Sequence, residues 1–381
     1  MNKCLITKLN GIVNNENLLK IGEFRIKIDK VQTPSTSNRS LAIGVNIPTN
    51  IRIIGSGYFT DENLSADKGK SLLLNPKSLN YIYVSNDDIT ISIENKYNLT
   101  RFNCNAVQNP WDVGMNHANI HINIEDFKYS TALTGLGLSS TSVSGDIAAV
   151  KNLTALTGLV LNSTSVSGDI AAVKNLTALT GLGLNSTSVS GDIAAVKNLT
   201  ALTGLALSST SVSGDIAAVK NLTALTSLNT RFSNVNGDIS NINSLSKLKF
   251  CQLNSVAGDI TVINNTMLNS IIISNSGDLT GDIAKLKSDF KYLGLDNDST
   301  SRFTWSSRDS SSIIFGNGGT PTLTSNLDDM LTNMAQCRNG ITSSSNSWEK
   351  VIEYQGNRTS ASDAAVEKLQ SYGYTVKINK V

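Results

Sequence analysis

One 23-residue unit is written four times between residues 131 and 222, almost without change. The first copy, TALTGLGLSSTSVSGDIAAVKNL, starts at Thr131, and the others start at Thr154, Thr177 and Thr200. They vary only where Gly137, Val160, Gly183 and Ala206 align, and where Ser139, Asn162, Asn185 and Ser208 align. A fixed period in this range predicts a solenoid, in which each unit buries its apolar face only against its neighbours.

The spacing inside the unit predicts its local structure. Leucines fall as L-x-x-L-x-L at Leu133, Leu136 and Leu138, and again at Leu156, Leu159 and Leu161. The L-x-L step has period two, so both leucines point to one side of a short strand. Thr141, Val143, Ile147 and Val150 follow, with Gly145 and Asp146 read as a turn. In order, Leu153, Leu156, Leu159, Leu161, Val166, Gly168 and Ile170 resemble the plant-type leucine-rich repeat. Thr164 stands where that family has Asn, and Ala171 where it has Pro. The resemblance implies a right-handed parallel solenoid over residues 131–295, with the L-x-L strands on the concave side. The family's Asn bonds backbone inside the turn, so a column of threonine hydroxyls is expected in its place. A fold shared this widely implies little about function.

The rest of the composition narrows the partners. A chain of 381 residues is long enough for two or three domains. Its net charge of +2 implies no strong electrostatic partner. No basic stripe suggests nucleic acid. The four cysteines, Cys4, Cys104, Cys251 and Cys337, show no C-x-x-C spacing. Cys251 takes a leucine's place and reads as a small buried hydrophobe. No apolar stretch reaches membrane-spanning length, and the first 20 residues lack a signal-peptide pattern.

Along the chain, residues 1–110 carry short β-rich runs at 24–28, 41–47, 51–54, 81–84 and 89–93, separated by turn formers. They predict an antiparallel β-sandwich. Residues 111–130 read as an N-terminal cap, because Ile120, Ile124 and Phe127 precede Val143, Ile147 and Val150 by 23 residues. This is half a repeat without its strand. A joint near Asn109-Pro110 is expected to let the solenoid swing. Past Leu222 the repeat degenerates, but Gly-Asp-Ile recurs from Gly237, Gly258 and Gly281. Residues 296–320 read as an inserted loop pinned by Phe303, Trp305 and Phe315. Residues 321–381 then predict helix, strand, helix, strand: an α/β C-terminal cap, with Ser362 as an N-cap and Gly373 closing the second helix.

No catalytic constellation is evident, so the sequence is read as non-enzymatic with no cofactor. Gly55-Ser56-Gly57 lacks the helix that a phosphate loop needs. His117 and His121 have i, i+4 spacing but no third ligand, and no metal site is assigned. The aspartates Asp146, Asp169, Asp192 and Asp215 read either as a calcium ladder or as caps on their own turns. One acid per turn, with a Lys five residues on, favours caps. The outward strand positions are small or polar through Ser208. Beyond it they become Asn229, Arg231, Phe232, Gln252, Asn254, Ile272, Ser274 and Asp296, the candidate binding residues. The competing reading has Phe232 filling a core gap and Arg231 merely solvated.

The segments ITKLNGIVNNENLLKIGEF and GNRTSASDAAVEKLQSYGYTV are similar to parts of leucine-rich-repeat tail proteins from phages and prophages of Bacteroidetes. That resemblance implies a virion protein. Residues 1–110 would meet other tail proteins, and the distal coils a host-surface protein or glycan, in multiple copies, with a homo-oligomer as one such arrangement. The alternative is a bacterial surface or secreted adhesin.

Overall fold

The computed structural model describes residues 120–287, 292–296, 301–306, 314–315, 322–323, 327–337 and 351–381. Before residue 120 it describes the backbone of eight strands and the side chains of Leu99 and Phe102. The chain forms two compact units, Met1–Val143 and Ser144–Val381.

The first unit holds β1 (Phe24–Ile28), β2 (Arg39–Val45), β3 (Thr49–Ile54), β4 (Tyr58–Thr60), β5 (Ser71–Leu74), β6 (Asn80–Val84), β7 (Ile89–Ile93), β8 (Leu99–Asn103) and β9 (Ile120–His121). One set pairs antiparallel in the order β5-β3-β7-β1-β9, with Ile26 and Ile53 both opposite Ile91. A second set pairs antiparallel as β4-β6-β2-β8. Antiparallel pairing agrees with the sequence reading. The facing packing that would define a sandwich lies outside the described residues. So do residues 109–110, but the strands on either side of them are tied together. β1 pairs with β9, and β8 pairs in parallel with Gly135–Gly137, matching Phe102 to Leu136. A free swing at that joint is therefore corrected: the strand missing from the half-repeat is supplied by β8. The half-repeat itself is the short 3-10 turn Ile124–Phe127, closed by reciprocal bonds between Asn123 and Asp126. Phe127 buries its ring 5.2 Å from that of Phe102.

In the second unit each coil contributes two strands and a 3-10 turn. The L-x-L strands run from Gly158–Val160 through Gly181–Gly183, Gly204–Ala206, Ser227–Asn229, Phe250–Asn254, Ser270–Ser274 and Tyr292–Asp296 to Ile314–Phe315, all parallel. Leu159, Leu161, Leu182, Leu184, Leu205 and Leu207 are all buried beneath them. The Ser-Val-Ser-Gly-Asp stretch, read as a turn from sequence, is a second parallel strand, as in Ser165–Asp169 and Ser188–Asp192. Its Val166, Val189 and Val212 alternate inward between outward serines. Two parallel sheets joined by 3-10 turns fit a leucine-rich-repeat solenoid.

The hydroxyl column appears as expected. Thr141, Thr164, Thr187 and Thr210 are buried and donate to Leu138, Leu161, Leu184 and Leu207 carbonyls at 2.6–2.7 Å. These bonds stay within one coil. Side-chain bonds between coils come from the variable position, where Asn162 Oδ1 accepts from the Asn185 amide at 2.8 Å and Asn185 Oδ1 from the Ser208 amide at 2.7 Å, and from Thr180 and Thr203, whose hydroxyls donate to the Thr157 and Thr180 carbonyls.

Coil five breaks the pattern at Thr230, which occupies the place of Leu161, Leu184 and Leu207. Its side chain is fully buried, and its hydroxyl finds no hydrogen-bond partner among the described residues. A buried unsatisfied hydroxyl costs about 1–3 kcal/mol. Thr230→Val keeps the shape and removes the hydroxyl, so the urea midpoint should rise by an amount equivalent to about 1 kcal/mol. An unchanged or lower midpoint would reject this account.

The stretch read as an inserted loop is corrected. Arg302–Thr304 pairs in parallel with Leu279–Asp282, and Ile314–Phe315 with Tyr292–Asp296. Phe303 and Trp305 are buried, so these residues are further coils stripped of their leucines. Their apolar positions are filled by aromatics, which hid the period. Val351–Arg358 and Thr375–Lys380 are parallel strands that extend the second sheet through Thr322–Leu323, not the L-x-L sheet.

Two helices, α1 (Leu327–Cys337) and α2 (Asp363–Ser371), complete this end. α1 buries Leu327, Met330, Leu331 and Met334, the expected helical face. Ser362 stands at the start of α2, but its hydroxyl is not a cap. It donates to Asp328 Oδ1 at 2.5 Å, while Asp328 also accepts from the Thr359 amide and hydroxyl. Gly373, at φ +85°, ends α2 as expected.

Burial is the largest influence on Asp328 and raises its pKa, but the bonds from Ser362 and Thr359 and the Arg358 charge together outweigh it, and the net shift is downward. Asp363 is held low first by the Lys380 hydrogen bond and then by Arg358. A carboxylate with a lowered folded pKa adds stability above its unfolded value, and loses it as pH falls through the folded one. Stability of this end should therefore drop below about pH 4. Asp328→Asn should flatten the decline in melting temperature between about pH 5 and pH 3. An undiminished decline in that variant would show that the carboxylate is not responsible.

Candidate binding surface

The glycines and aspartates of the second sheet lock each coil to the next. Asp146, Asp169, Asp192 and Asp215 each accept a bond at 2.8 Å from the backbone amide two residues on, capping their own 3-10 turns. Gly168, Gly191 and Gly214 sit at positive φ directly above the carboxylate of the preceding coil. The cap reading of the acid column thus holds for one oxygen of each carboxylate. A shallow groove beside them is lined by Asp146, Lys151, Asn152, Asp169, Lys174 and Asn175. Among the described residues no group of three His, Cys, Asp or Glu is placed to hold a metal. His117 lies outside them, as does the His121 side chain. Cys251 is buried, and burial pushes its thiol pKa far up.

On the L-x-L sheet the two outward positions of a strand differ in room. A side chain added at Gly158 or Gly181 would meet nothing within 4 Å, whereas one at Gly183 would press on Asn162 and Val160 at 3.0–3.1 Å. The first outward position therefore admits large side chains.

The candidate residues divide accordingly. Asn229, Gln252 and Ile272 are register partners on successive strands and are half-buried. Asn229 Oδ1 accepts from the Arg231 amide at 3.1 Å. Asn254 and Ser274 were expected on the outer face by alternation and are buried instead. Asn254 donates to the Ser233 carbonyl at 2.7 Å and accepts from Asn275 at 3.0 Å, so it ties coils five, six and seven together. The backbone leaves the strand there to enter a left-handed residue, Ser255 or Asn275, and this turns both side chains inward. Asp296 pairs with Ser274 through the backbone; its side chain lies outside the described residues.

Phe232 does not fill a core gap. It is 49% exposed, at φ +57°, a position that Ser140, Ser163, Ser186, Ser209 and Ser255 hold in other coils. Arg231 is not merely solvated either. Its guanidinium carbon lies 4.3 Å from the Phe232 ring centroid, and its Nε donates to Ser274 Oγ at 2.9 Å, two coils away. Sequence reasoning missed Phe250, 46% exposed at the roomy outward position where earlier coils carry Gly158, Gly181 and Gly204. The signal was there in that substitution, but attention to the residue between the leucines passed over the one before them.

No protein-family model matches this chain, and no curated protein matches it. Solved structures do. The plant peptide hormone receptor RGFR1 in complex with RGF2 is 19% identical, with 66% of this chain and 48% of that one covered at a TM-score of 0.42. An internalin from Listeria monocytogenes is 22% identical over 74% and 82%, at 0.47. The leucine-rich-repeat ectodomain of the receptor kinase GASSHO1/SCHENGEN3 from Arabidopsis thaliana is 17% identical over 67% and 33%, at 0.48. The chain thus spans about half the length of the first of these receptors and a third of the other. No described helix is long and apolar enough to cross a membrane.

Proposed function

We propose that this chain is a non-enzymatic receptor-binding protein of a phage tail. Residues 1–110 attach it to other tail proteins, and the outer L-x-L face from coil five onward meets a host-surface protein or glycan. The observation that carries this reading is the abrupt change of that face. Coils two to four present Gly158, Val160, Asn162 and Ser163, then Gly181, Gly183, Asn185 and Ser186, then Gly204, Ala206, Ser208 and Ser209; coils five to seven present Asn229, Arg231, Phe232, Phe250, Gln252 and Ile272. Near-identical coils with small side chains serve as a spacer, and larger, more varied side chains follow them, Arg231 among the types enriched in binding hot spots. The likeness of the chain's end segments to tail proteins supports the virion setting. Each contact is small, so display in several copies would supply avidity.

The test uses the full chain. Particles released from a producing culture should contain it by mass spectrometry, and added free protein should compete with those particles for adsorption to host cells. Absence from particles, with presence on intact cell surfaces, would replace the virion by a bacterial adhesin. Failure to compete would remove the binding role from this surface.

A further inference from the structure

Coils five to seven place two exposed aromatic rings at the edges of a strip of side-chain amides. Phe250 stands at the start of its strand, and Phe232 follows the end of the neighbouring one. Between them lie Asn229 and Gln252, paired in register. The Gln252 side chain makes no hydrogen bond among the described residues, and Asn229 uses only its Oδ1, which leaves its Nδ2 hydrogens uncommitted. Half-buried amides that can both donate and accept are able to exchange bonds with water for bonds with a ligand, and the strand beneath holds them in place.

Phe232 adds a second observation. Among the described residues it is the only aromatic side chain at positive φ; the other non-glycine cases are Ser, Asn and Asp. A left-handed conformation costs a bulky L-residue about 1–2 kcal/mol, and the half-exposed ring recovers only its contact with Arg231. Strain of this kind persists where function requires it. Arg231 fixes the ring from one side and is itself fixed by Ser274, so the platform is preorganised.

We propose that this strip binds a short, uncharged oligosaccharide; the inference rests on the binding surface proposed above and names its ligand class. A pyranose has an apolar C–H face, which suits an aromatic ring, and a rim of hydroxyls, each donor and acceptor, which suits an amide. From the Ser227 position to Phe232 the strip is at most about 16 Å long, the reach of a few sugar rings. Arg231 is the one charged side chain among these residues, and its Nε is spent on Ser274. An anionic polymer would call for a basic stripe. A protein partner would call for a large apolar anchor at the centre of about 800 Å², whereas here the rings flank the strip, and its middle holds the two amides beside a half-buried Ile272.

The experiment presents the full chain, Phe232→Ser and Gln252→Ala to immobilised neutral glycans terminating in glucose, galactose, mannose or N-acetylglucosamine. Sialylated, uronate and sulfated glycans serve as the acidic set. Phe232→Ser installs the residue that other coils carry, so it should fold at least as stably and melt higher than the parent. Retention is expected on neutral glycans, weakened at least about tenfold in both variants. Retention on the acidic set alone, none at all, or retention unchanged in both variants would overturn the saccharide. The particle-competition assay separates the two claims. If Phe232→Ser fails to compete while no glycan is retained, the surface stands and its partner is a protein. If both variants compete like the parent, the surface itself is wrong.

Discussion

Gly191→Ala is expected to destabilise the protein by about 2–3 kcal/mol, although it adds only one methyl group to a strand of the second sheet. Two independent costs combine there. The residue sits at φ +98°, where an L side chain loses about 1–2 kcal/mol. The new Cβ would also fall 2.2 Å from Asp169 Oδ1. That oxygen accepts the Ala171 amide at 2.8 Å, so pushing it aside costs the cap of the preceding coil, about 1 kcal/mol. Gly181→Ala is the control. Its Cβ meets nothing within 4 Å and its backbone needs no left-handed turn, so its urea midpoint should stay within about 0.5 kcal/mol of the parent. Equal losses in the two variants would mean that glycine content, rather than the Gly-over-Asp contact, governs stability.

That contact shows what the sequence made legible and what it hid. The leucine spacing gave the L-x-L strands and their buried faces because the period-two step needs no partner to be recognised. The recurrence of Gly-Asp-Ile carried the coils past Leu222 as far as Gly281. The same Gly and Asp read as a turn from sequence, since both are turn formers in isolation. Their place in a parallel sheet depends on the coil before, where Asp169 lies under Gly191. Coils around Phe303 and Phe315 were hidden because aromatics replaced leucines and broke the period. On the outer face, Asn229, Gln252 and Ile272 lie together as read, through backbone register. Asn254 and Ser274 obey instead a left-handed residue that follows them, which alternation does not contain. Phe232 was visible as an unusual residue, but its strain was not, because φ is set by the turn and not by the side chain.

Removing one whole coil should be tolerated far better than trimming the C-terminal end. Deleting residues 177–199 joins Leu176 to Thr200 and leaves the sequence in register with itself. Each contact between coils finds a substitute. Ser208 can donate its amide to Asn162 in place of Asn185, and Thr203 its hydroxyl to the Thr157 carbonyl in place of Thr180. Gly214 can settle over Asp169 as it now does over Asp192. Because a solenoid's stability is close to a sum over neighbouring interfaces, the melting temperature should fall by no more than a few degrees, about 3 °C. Deleting residues 321–381 removes something that has no substitute. Arg302–Thr304 would lose Thr322–Leu323 and become an open strand edge beside Phe303 and Trp305. The buried helix face of Leu327, Met330, Leu331 and Met334 would go with it. Open parallel edges beside apolar side chains recruit further strands. The truncated protein should therefore partition into the insoluble fraction or elute as large aggregates on size exclusion, with no sharp melt. If it stayed monomeric and melted like the 177–199 deletion, residues 321–381 would be an appendage to the solenoid rather than its closing layer.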